Sequence, residues 1–293
     1  MNNPINFEEH FKIREFIEAK KPVLHYEDVT SSHKYMDRFW LLGPNKTAWV
    51  HPNEYVAIEE IWDTNLEIIQ SIFAKRPGSH HNHRTIKTVL KGLSHNLLEP
   101  LNISYMMRYT SLGHKHLRWC IDALTEIEIL YQIPAFSAPL SSVRSHKAPK
   151  LIFRQTGLLH YVHGIKSSEA LFDHPIVAKS WVNMILASYV TFCDPSVRYF
   201  YYKSYNGSYL DLILESPGGQ RWVINLDFCL GFLKFRKHYY RTMQNFQPDR
   251  MFYVFPSINP AIVTKTQAEA LFRGVEVLTY REMGRLIQMM HRV

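Results

Sequence analysis

The sequence predicts an α/β chain of the α+β kind, with helices first and then a mixed sheet flanked by helices. Three observations carry that expectation. Residues 84–127 hold three helical stripes in succession, with Gly113 before the third. Residues 199–228 read YFYYKSYNGSYLDLILESPGGQRWVINLDF, three apolar, aromatic and β-branched runs split by Asn206-Gly207 and by Pro217-Gly218-Gly219. Asn-Gly supplies the positive φ angles of a tight hairpin turn, so this stretch reads as a three-stranded antiparallel meander. After it come a helix-prone basic stretch (234–244), strand-like runs at Met251–Phe255 and Val275–Thr279, and a closing helix over Glu282–Met290. Helix, three strands, helix, two more strands and a helix describe a mixed sheet between helices.

The bulk properties fit such a protein. The 293 residues are 46% hydrophobic and 20% charged, enough to bury a sizeable core. No apolar run approaches the roughly 18 residues of a membrane span, and MNNPINFEEH lacks the basic-then-apolar layout of a signal peptide. Cys120, Cys193 and Cys229 are too few and too scattered for a disulfide framework or a zinc site. A cytoplasmic location and no membrane partner are the expectations. The formal charge of +8 is uneven: residues 1–72 hold 7 basic and 12 acidic side chains, leaving 27 against 14 afterwards. A basic surplus of that size suits a polyanion such as nucleic acid.

Taken in order, residues 1–83 read as a helical, mildly acidic preface. Phe7, Phe11, Ile13 and Phe16 recur at helical intervals, as do Ile58, Ile61, Trp62, Leu66, Ile69 and Phe73. Gly43-Pro44-Asn45-Lys46-Thr47 superficially suggests a phosphate-binding loop. It has one glycine where several must open consecutive N–H groups to a phosphate, and a proline removes one of those donors. A turn is the better reading. Pro77–His83 is a linker by composition, and its histidines lack the packed surroundings that a functional metal site needs.

From Arg84, Ile86, Val89, Leu90, Leu93 and Leu97 form one stripe, and Leu101-Asn102-Ile103-Ser104 offers a capped start for a short helix through Thr110. A third helix over His114–Ile127 buries Leu117, Cys120, Ile121, Leu124 and Ile127, placing Lys115, His116, Arg118 and Trp119 elsewhere on its circumference. Two β-prone runs follow, Glu128–Ile133 and Lys150–Phe153. This outline is a winged helix-turn-helix over residues 84–152, with Pro134–Pro149 as the wing carrying Arg144, His146 and Lys147. In such a module the third helix enters the major groove and wing cations touch phosphates. The expected nucleic-acid contacts are therefore Lys115, His116, Arg118, Arg144 and Lys147. His174-Pro175 then opens an amphipathic helix with Val177, Trp181 and Ile185 on one side.

Two stretches carry a resemblance. Lys150, Phe153 and Thr156-Gly157-Leu158 are similar to a K-x-Y-F-x-D-T-G-L signature. Tyr201-Tyr202-Lys203, Tyr209–Leu214 and Ile224–Asp227 resemble a Y-Y-x-R, E-V-D-F-V-L, I-E-V-K series. Both belong to the C-terminal module of unknown function of prokaryotic AAA-type ATPases, which joins a winged helix to a PD-(D/E)XK nuclease-like fold. The resemblance covers roughly residues 85–293 and implies a restriction-endonuclease-like sheet over residues 153–293. The ATPase domain itself has no counterpart in this sequence, and residues 1–83 read as a remnant of it or a replacement.

The departures decide the chemical expectation. The resemblance implies an aspartate and a second acidic residue holding a divalent cation, with a lysine two residues on assisting water or phosphate. Here Asp211 is kept, Asn225 stands for the second acid and Asp227 for the lysine; Gln155 replaces the signature aspartate. Asp211, Asn225 and Asp227 therefore read as a vestigial site. A rearranged site would hold Mg²⁺ between Asp211 and Asp227 and draft Lys203 or Lys234 as the missing cation; otherwise no cofactor is expected. His114 and His116, two apart, point to different helical faces and are not a ligand pair. The expectation is a non-catalytic, duplex-DNA-binding protein. The alternatives are a protein adaptor for an ATPase supplied in trans, a homodimer, and a metal-dependent nuclease.

Overall fold

Residues 38, 40–43, 51–74, 83–137, 144–228, 240, 242–243, 245–255 and 274–290 are described in the computed structural model of the chain. The expectations for residues 1–37, for the turn at 44–47, for His80 and His81, for the wing tip at 138–143, and for most of the basic stretch 234–244 lie outside these residues.

The mixed α/β architecture is borne out. Helix α1 (Glu54–Ala74) opens under the side chain of Asn53, whose Oδ1 accepts the Tyr55 N–H at 2.9 Å. Its Ile58, Ile61, Trp62, Leu66 and Ile69 are buried, as the periodicity requires. Helices α2 (His83–His95), α3 (Ile103–Thr110) and α4 (His114–Glu126) follow at the expected places. Asn102 caps α3, its Oδ1 accepting the Tyr105 N–H at 2.9 Å. Strands β1 (Leu130–Ile133) and β2 (Lys150–Phe153) pair antiparallel, with Leu130 opposite Phe153.

Helix α5 (Thr156–His163) starts almost where β2 ends, and its first turn explains the Thr-Gly pair. The Thr156 hydroxyl donates to the Trp40 carbonyl at 2.6 Å, and His160 Nδ1 donates to the Leu41 carbonyl at 2.7 Å. A β-carbon on Gly157 would lie 2.7 Å from the Leu42 carbonyl oxygen and 2.7 Å from Ile61 Cδ1, so only glycine admits this approach. Ser180 completes the arrangement, bonded to His160 Nε2 at 2.5 Å and accepting the Trp40 indole N–H at 2.9 Å. The Thr-Gly pair is thus a dock for the chain segment at residues 40–42.

After the short α6 (Ser168–Phe172), helix α7 (Val177–Phe192) departs from expectation. The sequence suggests an amphipathic helix, yet every residue from Ser180 to Ala187 is buried, so no polar face remains over its middle turns. The reason is a neighbour on each side. Asn183 presses against β2, accepting the Phe153 N–H at 2.8 Å and donating to the Phe153 carbonyl at 2.9 Å. Its amide thereby satisfies a strand edge as a backbone group would, which is how a polar side chain tolerates full burial.

The meander forms as β3 (Arg198–Lys203), β4 (Tyr209–Glu215) and β5 (Arg221–Leu226), and β6 (Arg250–Phe255) and β7 (Val275–Thr279) add to it in parallel. The turn chemistry differs from the two-residue Asn-Gly turn that the sequence suggests. Both hairpins use three-residue loops, with only Gly207 (φ +89°) and Gly219 (φ +86°) in the left-handed region. A serine closes each: Ser204 Oγ accepts the Ser208 N–H at 2.9 Å and Ser216 Oγ accepts the Gln220 N–H at 3.1 Å. A hydroxyl acceptor four residues back favours the longer loop, which needs a single positive φ.

Helix α8 (Tyr280–Met289) closes the chain with a capping box between Thr279 and Glu282. One core runs without a break from Trp40 through α1–α5, β2 and α7 to one face of the large sheet and α8. A second, smaller core covers the other sheet face, and Phe136 from the wing lies in it. Among the described residues no helix is long and apolar enough to cross a membrane.

Candidate functional site

The backbone ladder between β4 and β5 runs from Glu215 opposite Arg221 to Leu212 opposite Ile224 and then opens. Beyond that point β5 follows β6, and the Asp227 N–H bonds the Val254 carbonyl at 3.0 Å. On its other side β4 carries a bulge: Phe200 faces Ile213 while Tyr202 faces Leu210, leaving one extra residue on β4. Asp211 sits at this opening. Its Oδ2 accepts the Leu226 N–H at 2.9 Å, and its own N–H donates to Asn225 Oδ1 at 3.3 Å. Two side chains therefore replace the hydrogen bonds that the ladder gives up.

Behind the fork lies Lys150, the first residue of β2, fully buried. Its ammonium donates to the Tyr209 hydroxyl at 3.0 Å and to the Asp211 main-chain carbonyl at 3.0 Å, between the rings of Tyr201 and Tyr209 at 5.1 and 5.2 Å. Burial lowers its pKa to about 8, while the negative charges of Asp211 and Glu99 pull it back up. Burial likewise raises the Asp211 carboxyl above its ordinary value. The Lys150 charge, the Leu226 N–H and the Tyr209 hydroxyl all oppose that rise, and Asp227 adds to it. Tyr209 thus links a buried cation to a buried anion, accepting from one and donating to the other.

The resemblance reads Asp211, Asn225 and Asp227 as one vestigial site; in the structure Asn225 bonds Asp211 at the fork and the Asp227 charge acts on the Asp211 carboxyl. What it assigns them is different. Asn225 lends its carbonyl oxygen to the Asp211 N–H, and Asp227 accepts the Tyr253 hydroxyl at 2.7 Å. The Asn225 Nδ2 is left buried without a partner among the described residues. Lys203, one lysine drafted for a rearranged site, instead pairs with Glu99. Lys234, the other, lies outside the described residues. Among the described residues no three His, Cys, Asp or Glu side chains group as metal ligands. An ion held by Asp211 and Asp227 would depend on water and substrate oxygens for the rest of its shell.

The expected nucleic-acid contacts lie on the surface. Lys115, His116 and Arg118 are exposed on α4, across from its buried Leu117, Cys120, Ile121 and Leu124. Arg84, Lys87, Lys91 and Arg108 of the preceding helices are exposed as well. Arg144 and Lys147 are exposed in the segment expected to be the wing, and both described ends of that segment are bound to the sheet. On its outgoing side the Phe136 N–H bonds the Tyr201 carbonyl at 2.7 Å; on its returning side the His146 N–H bonds the Lys203 carbonyl at 2.9 Å. Both stems are stitched to β3. Two further cations after the returning stem are not free either, since Lys150 is buried and Arg154 pairs with Glu128.

Sequence reasoning missed the part played by Lys150, read there as the start of a β-prone run and a letter of the resemblance. A lone lysine opening the apolar run Lys150-Leu151-Ile152-Phe153 was the available signal, because a strand buried on both faces has no solvated side for it. It also missed that the ring of His146 stacks on Tyr205, with centroids 4.3 Å apart.

Residues 67–169 match a domain of unknown function, DUF8612. That span holds the end of α1, α2–α4, the β1–β2 pair and α5, but none of the large sheet. Uncharacterized proteins of Mycobacterium tuberculosis and Mycobacterium bovis are each 27% identical over 186 residues, covering 62% of this chain and 41% of the relative. The chain thus spans well under half the length of the curated relatives it matches.

Proposed function

We propose that this chain is a non-catalytic nucleic-acid-binding protein whose winged helix presents cations to a phosphate backbone. The nuclease-like sheet then serves as scaffold. The observation that carries the reading is the contrast between the two charge sets. Lys115, His116, Arg118, Arg144 and Lys147 are all exposed, whereas Asp211 is spent on the Leu226 N–H inside the fork. A carboxylate that closes a sheet opening is poorly placed to open its coordination to a metal and a scissile phosphate. The resemblance to the C-terminal module of AAA-type ATPases supports the same division of labour.

Fluorescence anisotropy with a labelled duplex across a salt series tests the proposal. Salt-sensitive binding is expected, weakened by Lys115→Ala combined with Arg118→Ala. Absence of salt-sensitive binding near 50 mM salt overturns it. Mg²⁺- or Mn²⁺-dependent cleavage that vanishes in Asp211→Asn would move the assignment to a nuclease with a rearranged site. A second reading, an adaptor for an ATPase acting in trans, draws on the greater length of the curated relatives. Co-elution with an ATPase in place of nucleic acid would favour it.

A further inference from the structure

Tyr205 is 68% exposed, the most solvent-open large apolar side chain among the described residues. It stands at the tip of the β3–β4 hairpin, in the loop that Gly207 and Ser204 close. One face of its ring lies on His146 at a centroid distance of 4.3 Å and an interplanar angle of 27°. The backbone on both sides is pinned: Tyr205 N–H donates to the Arg144 carbonyl at 3.1 Å, and His146 N–H donates to the Lys203 carbonyl at 2.9 Å. Burial and the nearby Lys203 charge both lower the pKa of His146, so at neutral pH its ring stacks as an uncharged plane.

The arrangement is a fixed aromatic plane with one face covered and the other open to solvent, next to the exposed cations Arg144 and Lys147. A tyrosine that only packed would be covered by its neighbours, and one that only ended a hairpin would not need a ring beneath it. We infer that Tyr205 is a stacking platform for an unpaired base, with Arg144 and Lys147 holding the adjoining phosphates. Base stacking on an aromatic side chain is insensitive to sequence, and in a duplex both base faces are already occupied. The ligand class is therefore single-stranded nucleic acid, or a single-stranded segment flanking a duplex held by α4. The inference rests on the nucleic-acid-binding reading and adds to it a place and a strand state.

The test uses the full chain, with a fluorescein-labelled oligothymidylate of about a dozen nucleotides, within the site sizes of single-strand-binding domains, and a blunt duplex of equal length. Tyr205→Ala is expected to weaken single-strand binding about tenfold, from the usual worth of one stacked base. The same variant should leave duplex binding unchanged. Tyr205→Phe, which keeps the plane, should bind single strands as the parent does. Arg144→Ala with Lys147→Ala should flatten the dependence of log K on log salt by about 1.4, for two lost phosphate contacts on a single strand. Unchanged single-strand affinity in Tyr205→Ala, or duplex binding without single-strand binding, overturns the platform and leaves the wider reading standing. No salt-sensitive binding to either probe overturns both. Because Tyr205 is exposed at a loop tip, its variants should melt with the parent, which circular dichroism checks.

Discussion

Replacing Asp211 separates a scaffold from a catalyst. Asp211→Ala removes three things together: the acceptor of the Leu226 N–H, the partner of the Tyr209 hydroxyl, and the nearest counter-charge to Lys150. A buried hydrogen bond to a charged group is worth about 1.5–3 kcal/mol, and breaking one side of a buried charge pair costs about 3–5 kcal/mol. Lys150 already titrates near 8 and sheds its proton readily once Asp211 is gone, which limits the second cost. The expected loss is therefore about 3–5 kcal/mol for the alanine variant. Asp211→Asn keeps an oxygen for the Leu226 N–H at the same volume and should lose only about 1–2 kcal/mol. Combining Asp211→Asn with Lys150→Met removes both charges and should recover part of that loss. Urea unfolding at pH 7 with unchanged m values measures all three. An alanine variant within about 0.5 kcal/mol of the parent, the spread of ordinary surface substitutions, would refute the fork reasoning. Equal losses for alanine and asparagine would refute it too.

Three further outcomes are expected. Gly157→Ala should destabilise by about 1–3 kcal/mol, since its β-carbon would lie 2.7 Å from the Leu42 carbonyl oxygen, and a shift in urea midpoint reports it. His160 is held neutral by burial, its pKa lowered to about 4 from 6.5. Below pH 6.5 the unfolded chain takes a proton that the folded chain refuses, so stability falls as pH drops from 6.5 toward 4, by about 3 kcal/mol from this group. His160→Asn should flatten that part of the stability profile in pH-dependent unfolding, whatever its effect at pH 7. Asn183→Leu should cost about 2–4 kcal/mol, because it strips both the Phe153 N–H and the Phe153 carbonyl of their partner, and thermal unfolding would detect it.

Local rules made much of this protein legible from its residues alone. Helix α3 starts at Asn102 because an amide oxygen there caps an N–H, and β3–β5 form because apolar runs are split by glycine-bearing turns. Each depends on neighbours within a few positions, so the sequence by itself determined the order of elements and the mixed α/β class. Strand periodicity put Asn225 and Asp227 on one face, while the grouping of both with Asp211 was implied only by the resemblance.

Tertiary structure decided what those residues do. Whether Asp211 faces a substrate or closes a fork depends on where β5 parts from β4 while staying paired with β6, whose partner residues lie 28 positions further along the chain. Lys150 reads as the polar start of a strand until folding buries it, after which its charge is answered by Tyr209 and Asp211. The polar side of α7 disappears because β2 needs an amide at Asn183 to complete its edge. Glycine at position 157 looks like a signature letter until the chain near Leu42 is laid against it. In each case the deciding term is desolvation by a distant neighbour, which acts only once the chain has folded.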